Sequence, residues 1–355
     1  MSTCFAAPPF FNGINLAWID WSTDFLDANN VSAVTYCGWE EAIRFTKSNG
    51  GNAVRVWLFT DPQKQLEWDA DGLVSGLVQG TTLQAQTLLA LAEHYDVRVV
   101  LVLFNGANVA SHKACTLFSE ARVLDSLLER AVRPLVTALT GHRSLSMLEI
   151  INEPEGLVDP WASSAAAGAD PVCESIDGVS ACAGANDAPG WNQQCIFPLA
   201  VIQRFINRVA GAIRISNGLI PLTVGSWNTC SAWTGAEAEA HGGRHLFSDS
   251  CLIQAGGDML GTIDVHQVHA YPKERNGTSF APSAAVSRRA HDLGIGEHVL
   301  LGEISSRWDV QRTSSAPTSS SFSTVRLHTN AVSLGYSGVF SWAYVLSAAT
   351  LCLPP

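Results

Sequence analysis

Two glutamates stand where apolar runs break off. Glu153 ends the run Leu148-Glu149-Ile150-Ile151-Asn152-Glu153, just before Pro154-Glu155-Gly156, and Glu303 ends Val299-Leu300-Leu301-Gly302-Glu303. An apolar run that stops at a carboxylate is the pattern of a buried strand delivering its last side chain into a shared pocket. Between the two lies His269-Ala270-Tyr271. Two carboxyl groups at strand mouths are the minimum equipment for double-displacement hydrolysis of a sugar acetal, one as an ionised nucleophile and one as an acid that turns base. In that chemistry the carboxyls stand about 5–5.5 Å apart, which leaves no room for water to attack directly.

The elements that must position these groups repeat along the chain. Strand-like runs occur at Phe10–Ile19, Ala53–Leu58, Val97–Asn105, Leu145–Pro154, Pro221–Trp227, Thr262–Tyr271, His298–Ile304 and Tyr336–Val345. Amphipathic or Ala/Leu-rich stretches lie between them, such as Trp39–Ser48, Thr82–Glu93, Ala121–Leu139, Ile202–Ser216 and Ser283–Leu293. Eight alternations without a break in composition predict an α/β protein, a single (β/α)8 TIM barrel running over residues 1–355 as one domain. An open doubly wound sheet would carry a glycine-rich phosphate loop after its first strand, and Asn12-Gly13-Ile14-Asn15 is not one. The surplus length falls in loops that follow strands, the longest from Gly156 to Pro198. Long βα loops form the rim of a barrel's active site.

Side chains alternate along a strand, so Arg55 shares a face with Trp57 and His269 with Tyr271, the second of each pair nearer the C-terminal mouth. Trp342 also falls at a strand end. Arg55 is expected to keep Glu303 charged, with Tyr271 donating a hydrogen bond to it. Glu153 is expected to have its pKa raised by the negative Glu303 and by partial burial, so that it holds a proton when the bond breaks. Glu149 is four residues upstream, roughly 13 Å down a strand at about 3.3 Å per residue, which places it near the barrel floor and out of the chemistry. Glu155, beyond Pro154, is expected to hydrogen-bond the loop backbone. Asp264 and His266 are out of phase with His269 and Tyr271 and are expected to face the helix layer.

Composition narrows the partners. Of 355 residues, 47% are hydrophobic but only 15% charged, and the net charge is −11, which argues against nucleic acid or another polyanion. Eleven Trp against five Tyr suit a neutral polymer of flat rings, a polysaccharide. No apolar run approaches the ~20 residues of a membrane span, so no membrane is expected, and a monomer is. Nine Cys, without Cys-x-x-Cys pairs or nearby His at zinc-ligand spacing, read as disulfides in an oxidising compartment rather than a metal cluster. Cys173, Cys182 and Cys195 lie in one loop-like insertion and Cys230 and Cys251 in another; the odd total leaves at least one thiol free or paired outside the chain. The sequons Asn30-Val31-Ser32 and Asn276-Gly277-Thr278 fit secretion. No signal peptide precedes the first strand, and a trimmed mature form is the expectation.

Asn152-Glu153-Pro154 on the fourth strand, His269-Ala270-Tyr271 on the sixth, Glu303 on the seventh and Ser341-Trp342 on the eighth, in that order, resemble family 5 of the glycoside hydrolases, in clan A, across nearly the whole chain. The resemblance implies Glu153 as acid/base and Glu303 as nucleophile. It implies Asn152 as partner of the 2-hydroxyl, Arg55, His269 and Tyr271 as supports, and Trp342 as the platform under the −1 sugar. Where many members have a His at the end of strand three, this chain has Phe104-Asn105, as do many mannanases of the family, and Asn105 inherits that place. Asn152–Gly156 and Gly225-Ser226-Trp227-Asn228 look most like the endo-β-1,4-mannanases, with Trp227 an aglycone-side platform. The implied activity is retaining, internal hydrolysis of β-1,4 bonds in mannan or glucomannan by a secreted enzyme that needs no metal or cofactor. An endo-β-1,4-glucanase of the same family is the nearest alternative, since mannose differs from glucose by one axial hydroxyl. A carbohydrate-binding barrel that has lost catalysis is the other.

Overall fold

Eight parallel strands close on themselves. The computed structural model describes residues 10–26, 32–107, 109, 111–160, 189–192, 194–270, 288–304 and 324–344, together with Cys173, Ile176, Val179 and Cys182. The barrel strands are β1 (Phe11–Leu16), β2 (Ala53–Phe59), β5 (Arg98–Asn105), β6 (Leu145–Asn152), β7 (Leu222–Ser226), β8 (Val265–Ala270), β9 (Val299–Ile304) and β10 (Gly338–Ser341). They pair in that circular order, β10 returning to β1. Two further strands, β3 (Leu66–Trp68) and β4 (Val74–Leu77), form an antiparallel hairpin in the loop after β2. Each is too short to show alternation, and neither was expected.

The barrel forms because each strand is apolar on both faces. Every residue of β2 is buried: its outward side chains meet helices and its inward ones fill the lumen. The Leu199–Ser216 helix supplies one such cover, burying Leu199, Ile202, Phe205, Ile206, Val209 and Ile213 at three- and four-residue spacing. Inside, Phe11, Ala53, Val100, Met147, Val265, Leu300 and Phe340, from seven of the eight strands, pack into an apolar floor. Above that floor the lumen turns polar: Asn15, Arg55, Glu149 and Gln267 are all buried.

Two helical expectations need correction. The stretch Ala121–Leu139 is helical throughout but contains a π turn, Leu128–Val132, between α segments Ala121–Leu127 and Arg133–Leu139. The described end of the expected Ser283–Leu293 helix is instead an extended Arg289 followed by a single 3₁₀ turn, Ala290–Leu293, stopped by left-handed Gly294 (φ 64°). Asp264 forms an ion pair with Arg214 and accepts the Leu222 N–H at 2.7 Å, while His266 packs edge-on against His245 at 4.6 Å. Both therefore lie on the helix side. Among the described residues, no helix is long and apolar enough to cross a membrane.

All seven described cysteines are in disulfides: Cys115–Cys195, Cys173–Cys251 and Cys182–Cys230, together with Cys37. The three cysteines of the long loop thus each reach a different element. Cys230 sits in the 3₁₀ turn Thr229–Ser231 and Cys251 in the helix Asp249–Gly256, rather than in open loop. Cys4, Cys352 and the asparagines of both sequons, Asn30 and Asn276, lie outside the described residues. The three loops closed span 48 to 80 residues, and each crosslink is expected to contribute about 2–4 kcal/mol, largely by restricting the unfolded chain. Replacing Cys173 and Cys251 together by Ala should lower Tm by several degrees while leaving the far-UV spectrum intact. An unchanged Tm, or free thiols at these positions in a non-reduced digest, would refute the assignment.

Candidate active site

The polar layer of the lumen is organised by one side chain. Arg55 is fully buried on β2, its guanidinium 4.2 Å over the Trp57 ring. Its Nε donates to Glu149 Oε2 at 2.6 Å and its Nη2 to Glu149 Oε1 at 2.5 Å. Nη2 also donates to Asn152 Oδ1 (2.7 Å), and Nη1 to Asn15 Oδ1 (2.9 Å) and Glu303 Oε1 (2.8 Å). Glu149 is therefore not a bystander on the floor. It lies just above the floor as the bidentate partner of Arg55 and accepts a further bond from Gln267 Nε2 at 2.7 Å. Asn152 in turn donates to Asn105 Oδ1 at 3.1 Å, which joins the ends of β6 and β5.

Glu153 occupies the first position past β6 in a left-handed conformation (φ 46°, ψ 56°). For a residue with a side chain this costs on the order of 1–3 kcal/mol and persists only where the surroundings impose it. Its N–H bonds Gly225 O at 2.7 Å, and its carbonyl presses so close to Gly106 that a Cβ there would lie 2.5 Å from the oxygen. The kink delivers the carboxyl to the mouth, where the side chain is 17% exposed. His269 Nδ1 stands 2.8 Å from Glu153 Oε1 and 3.6 Å from Glu303 Oε2. One oxygen of each glutamate and a ring nitrogen of His269 all lie within 4.8 Å of one another.

Burial and charge set the two acids apart. Glu303 is buried against the Arg55 cation, an environment that favours its ionised form. Burial pushes Glu153 up to about 7; Arg55 opposes the rise and Glu149 adds to it. Glu149 is thus a negative neighbour that the sequence reading did not name. His269 is driven down to about 4 by burial, so its ring is neutral, and its Nε2 finds no partner among the described residues. The three groups have the spacing of metal ligands, but the imidazole is engaged with Glu153 and Glu303 is held by a fixed guanidinium.

Aromatic side chains flank the pair on two sides. Trp342, its N–H bonded to Ile304 O at 2.7 Å, meets Trp57 at 5.7 Å and Trp18 at 6.3 Å, and Trp21 lies edge-on to Trp18 at 4.5 Å. On the side of Pro154-Glu155-Gly156, Trp227 faces Trp191 at 5.2 Å. Glu155 is buried beneath, bonding Ser231 Oγ at 2.5 Å and the Trp227 N–H at 3.4 Å; burial raises it to about 8. The sequence-based site residues Arg55, Asn105, Asn152, Glu153, His269 and Glu303 thus come together, with Trp342 and Trp227 to either side. Tyr271 lies outside the described residues. Sequence reasoning missed Asn15, Gln267, Trp18, Trp21 and Trp191. Asn15 stands opposite Arg55 in the β1–β2 register, a signal only pairing reveals.

The chain is 28% identical over 338 residues to the mannan endo-1,4-β-mannosidase of Mytilus edulis, covering 94% of this chain and 83% of that one. It is 30% identical over 337 residues to the enzyme of the same name from Cryptopygus antarcticus, covering 94% and 80%. The crystal structure of the endo-1,4-β-mannanase from Eisenia fetida superposes with a TM-score of 0.81 at 28% identity, over 95% of this chain and 85% of that one. No family model matches.

Glu153 should leave a thermodynamic signature. In the unfolded chain it ionises near 4.5, in the fold near 7. Folding therefore loses stability as pH rises between those values. Glu153→Gln removes that loss, so the variant should be more stable than the parent by roughly 3 kcal/mol above pH 7 and no different below pH 4. Thermal melts at pH 8 and pH 4 read this directly; a gain equal at both would refute the raised value.

Proposed function

We propose that this chain, which belongs to the mannan endo-1,4-β-mannosidase family within family 5 of the glycoside hydrolases, cleaves internal β-1,4 bonds of mannan and glucomannan with retention of configuration. The observation that carries the reading is the proximity of two carboxyls in opposite environments, one oxygen of each within 4.8 Å of the other, one ion-paired and one raised to about 7. Such spacing is that of retaining enzymes; inverting ones hold the pair about 6.5–9.5 Å apart.

In the first step Glu303 attacks the anomeric carbon while Glu153 gives its proton to the departing glycosidic oxygen, leaving an α-linked glycosyl ester on Glu303. In the second, Glu153, now a carboxylate, takes a proton from water as that water attacks the same carbon, and Glu303 leaves. Two inversions give net retention. Asn152, steadied by Arg55 and Asn105, is placed to meet the 2-hydroxyl, a contact that strengthens in the transition state. His269, neutral, orients Glu153. Trp342 beside Glu303 suits the face of the −1 sugar, and Trp227 suits the leaving-group side. Tyr271 remains a proposed support.

The names of the relatives support mannan over the glucanase alternative, and the retention of both carboxyls with their supports speaks against a binding barrel without catalysis. Seven described cysteines, all in disulfides, fit a secreted enzyme. Glu303→Ala should abolish hydrolysis, with azide restoring turnover as an α-configured glycosyl azide. Glu153→Ala should fail on polymer yet retain activity on substrates whose leaving group needs no acid; near-native polymer rates in that variant, or anomeric inversion by NMR, would overturn the mechanism. Specificity constants for mannan and carboxymethyl-cellulose should differ by at least about a hundredfold, near 2.7 kcal/mol of transition-state binding. Equal or faster cleavage of the cellulose derivative would hand the case to the glucanase.

A further inference from the structure

Arg55 has five N–H groups, and all five are committed. Two go to Glu149, one each to Asn152, Asn15 and Glu303. None is left for Glu153. The Glu149 pairing is made possible by Gly225, where a Cβ would lie 2.5 Å from Glu149 Oε1 and 2.9 Å from Gln267 Nε2. Among the described residues, the titratable groups around Glu153 are Arg55 from β2, Glu149 from its own strand, His269 from β8, Glu303 from β9 and Glu155 from the loop beyond Pro154. His269 is neutral and Glu155 is held high by burial, so the balance reduces to one guanidinium and three carboxyls. Glu149 and Glu303 are ion-paired with that cation. Ionising Glu153 as well would add a second uncompensated negative charge in a water-poor cleft, which is costly.

We propose that Glu149 is a positioning residue that keeps Glu153 protonated, by saturating the Arg55 fork and by its own charge. It touches no substrate. It acts through Arg55, and the proposal rests on Glu153 being the acid/base. Remove the charge at position 149 and the guanidinium loses its bidentate carboxylate partner, with one fewer anion to balance it. Glu153 then ionises more readily and the acid is lost at lower pH.

The test is the pH profile of kcat/KM on soluble glucomannan. Glu149→Gln, close in shape but uncharged, should move the basic limb down by about one pH unit, a tenfold loss at pH 8 with little loss near pH 5. The charge swap E149Q/Q267E returns a carboxylate to the other end of the 2.7 Å Glu149–Gln267 bond and should bring the limb back towards that of the parent. A limb unmoved in Glu149→Gln, a loss equal at every pH, or a limb that stays displaced in the swap would overturn the proposal. Should Glu149→Gln give no folded protein by circular dichroism, the swap alone decides: its limb in place supports the proposal and a displaced limb overturns it. Glu153→Ala separates the two ideas. If that variant keeps polymer activity, the acid/base reading itself fails; if it is inactive while the Glu149→Gln limb stays put, only the role of Glu149 falls.

Discussion

A guanidinium with no free donor is what the rest of this structure depends on. Arg55 sits in the lumen of a closed barrel, where an unpaired charge costs several kcal/mol or more. It is tolerable only because Glu149 and Glu303 supply the counter-charge and Asn15 and Asn152 take the remaining N–H groups. Those partners come from β1, β6 and β9, so one side chain couples strands far apart in sequence. Each partner is oriented in return. Glu303 is held against the guanidinium, and Asn152 presents its amide to Asn105 at the cleft.

The apolar floor beneath and the aromatic sides above confine this network. Phe11, Phe340 and their neighbours close the lower lumen, so the charges lie in a low-dielectric sleeve in which Coulombic terms are strong and geometry is held. The same sleeve raises Glu153 to about 7 and depresses His269 to about 4 through burial, while Glu303 is paired with the Arg55 cation. Around the mouth, the disulfides tie the long loop to the Cys230 turn, to the Cys251 helix and to the helix bearing Cys115. The long loop is thereby anchored at three points.

The residue proposed for the proton transfer is itself strained. Glu153 is left-handed without being glycine, and its carboxyl is buried against its preference for water. Both features cost stability; in the proposed mechanism one aims the carboxyl across the mouth and the other keeps its proton. The barrel carries these costs through the apolar packing of strands buried on both faces, such as β2.

The order and apolar character of the strands, the acids at two of their ends and the surplus of rim-loop length are one-dimensional patterns. They were enough to specify a closed barrel and to mark Arg55, Glu153, His269 and Glu303 as candidates, while Asn152 entered only through the family resemblance. Strict alternation could not place Glu149. It faces the lumen together with Asn152, three residues on, because the β6–β7 register shifts between them; similar shifts occur at His269 against β9 and at Ser341. Each irregularity re-aims a side chain, and nothing in composition or period marks it. The partners of Arg55, the left-handed turn at Glu153, the disulfide connectivity and the meeting of Trp191 with Trp227 were likewise decided only in three dimensions. They join residues from 36 to 248 positions apart or depend on a neighbour's backbone, and a sequence records neither distance nor register across a closed sheet.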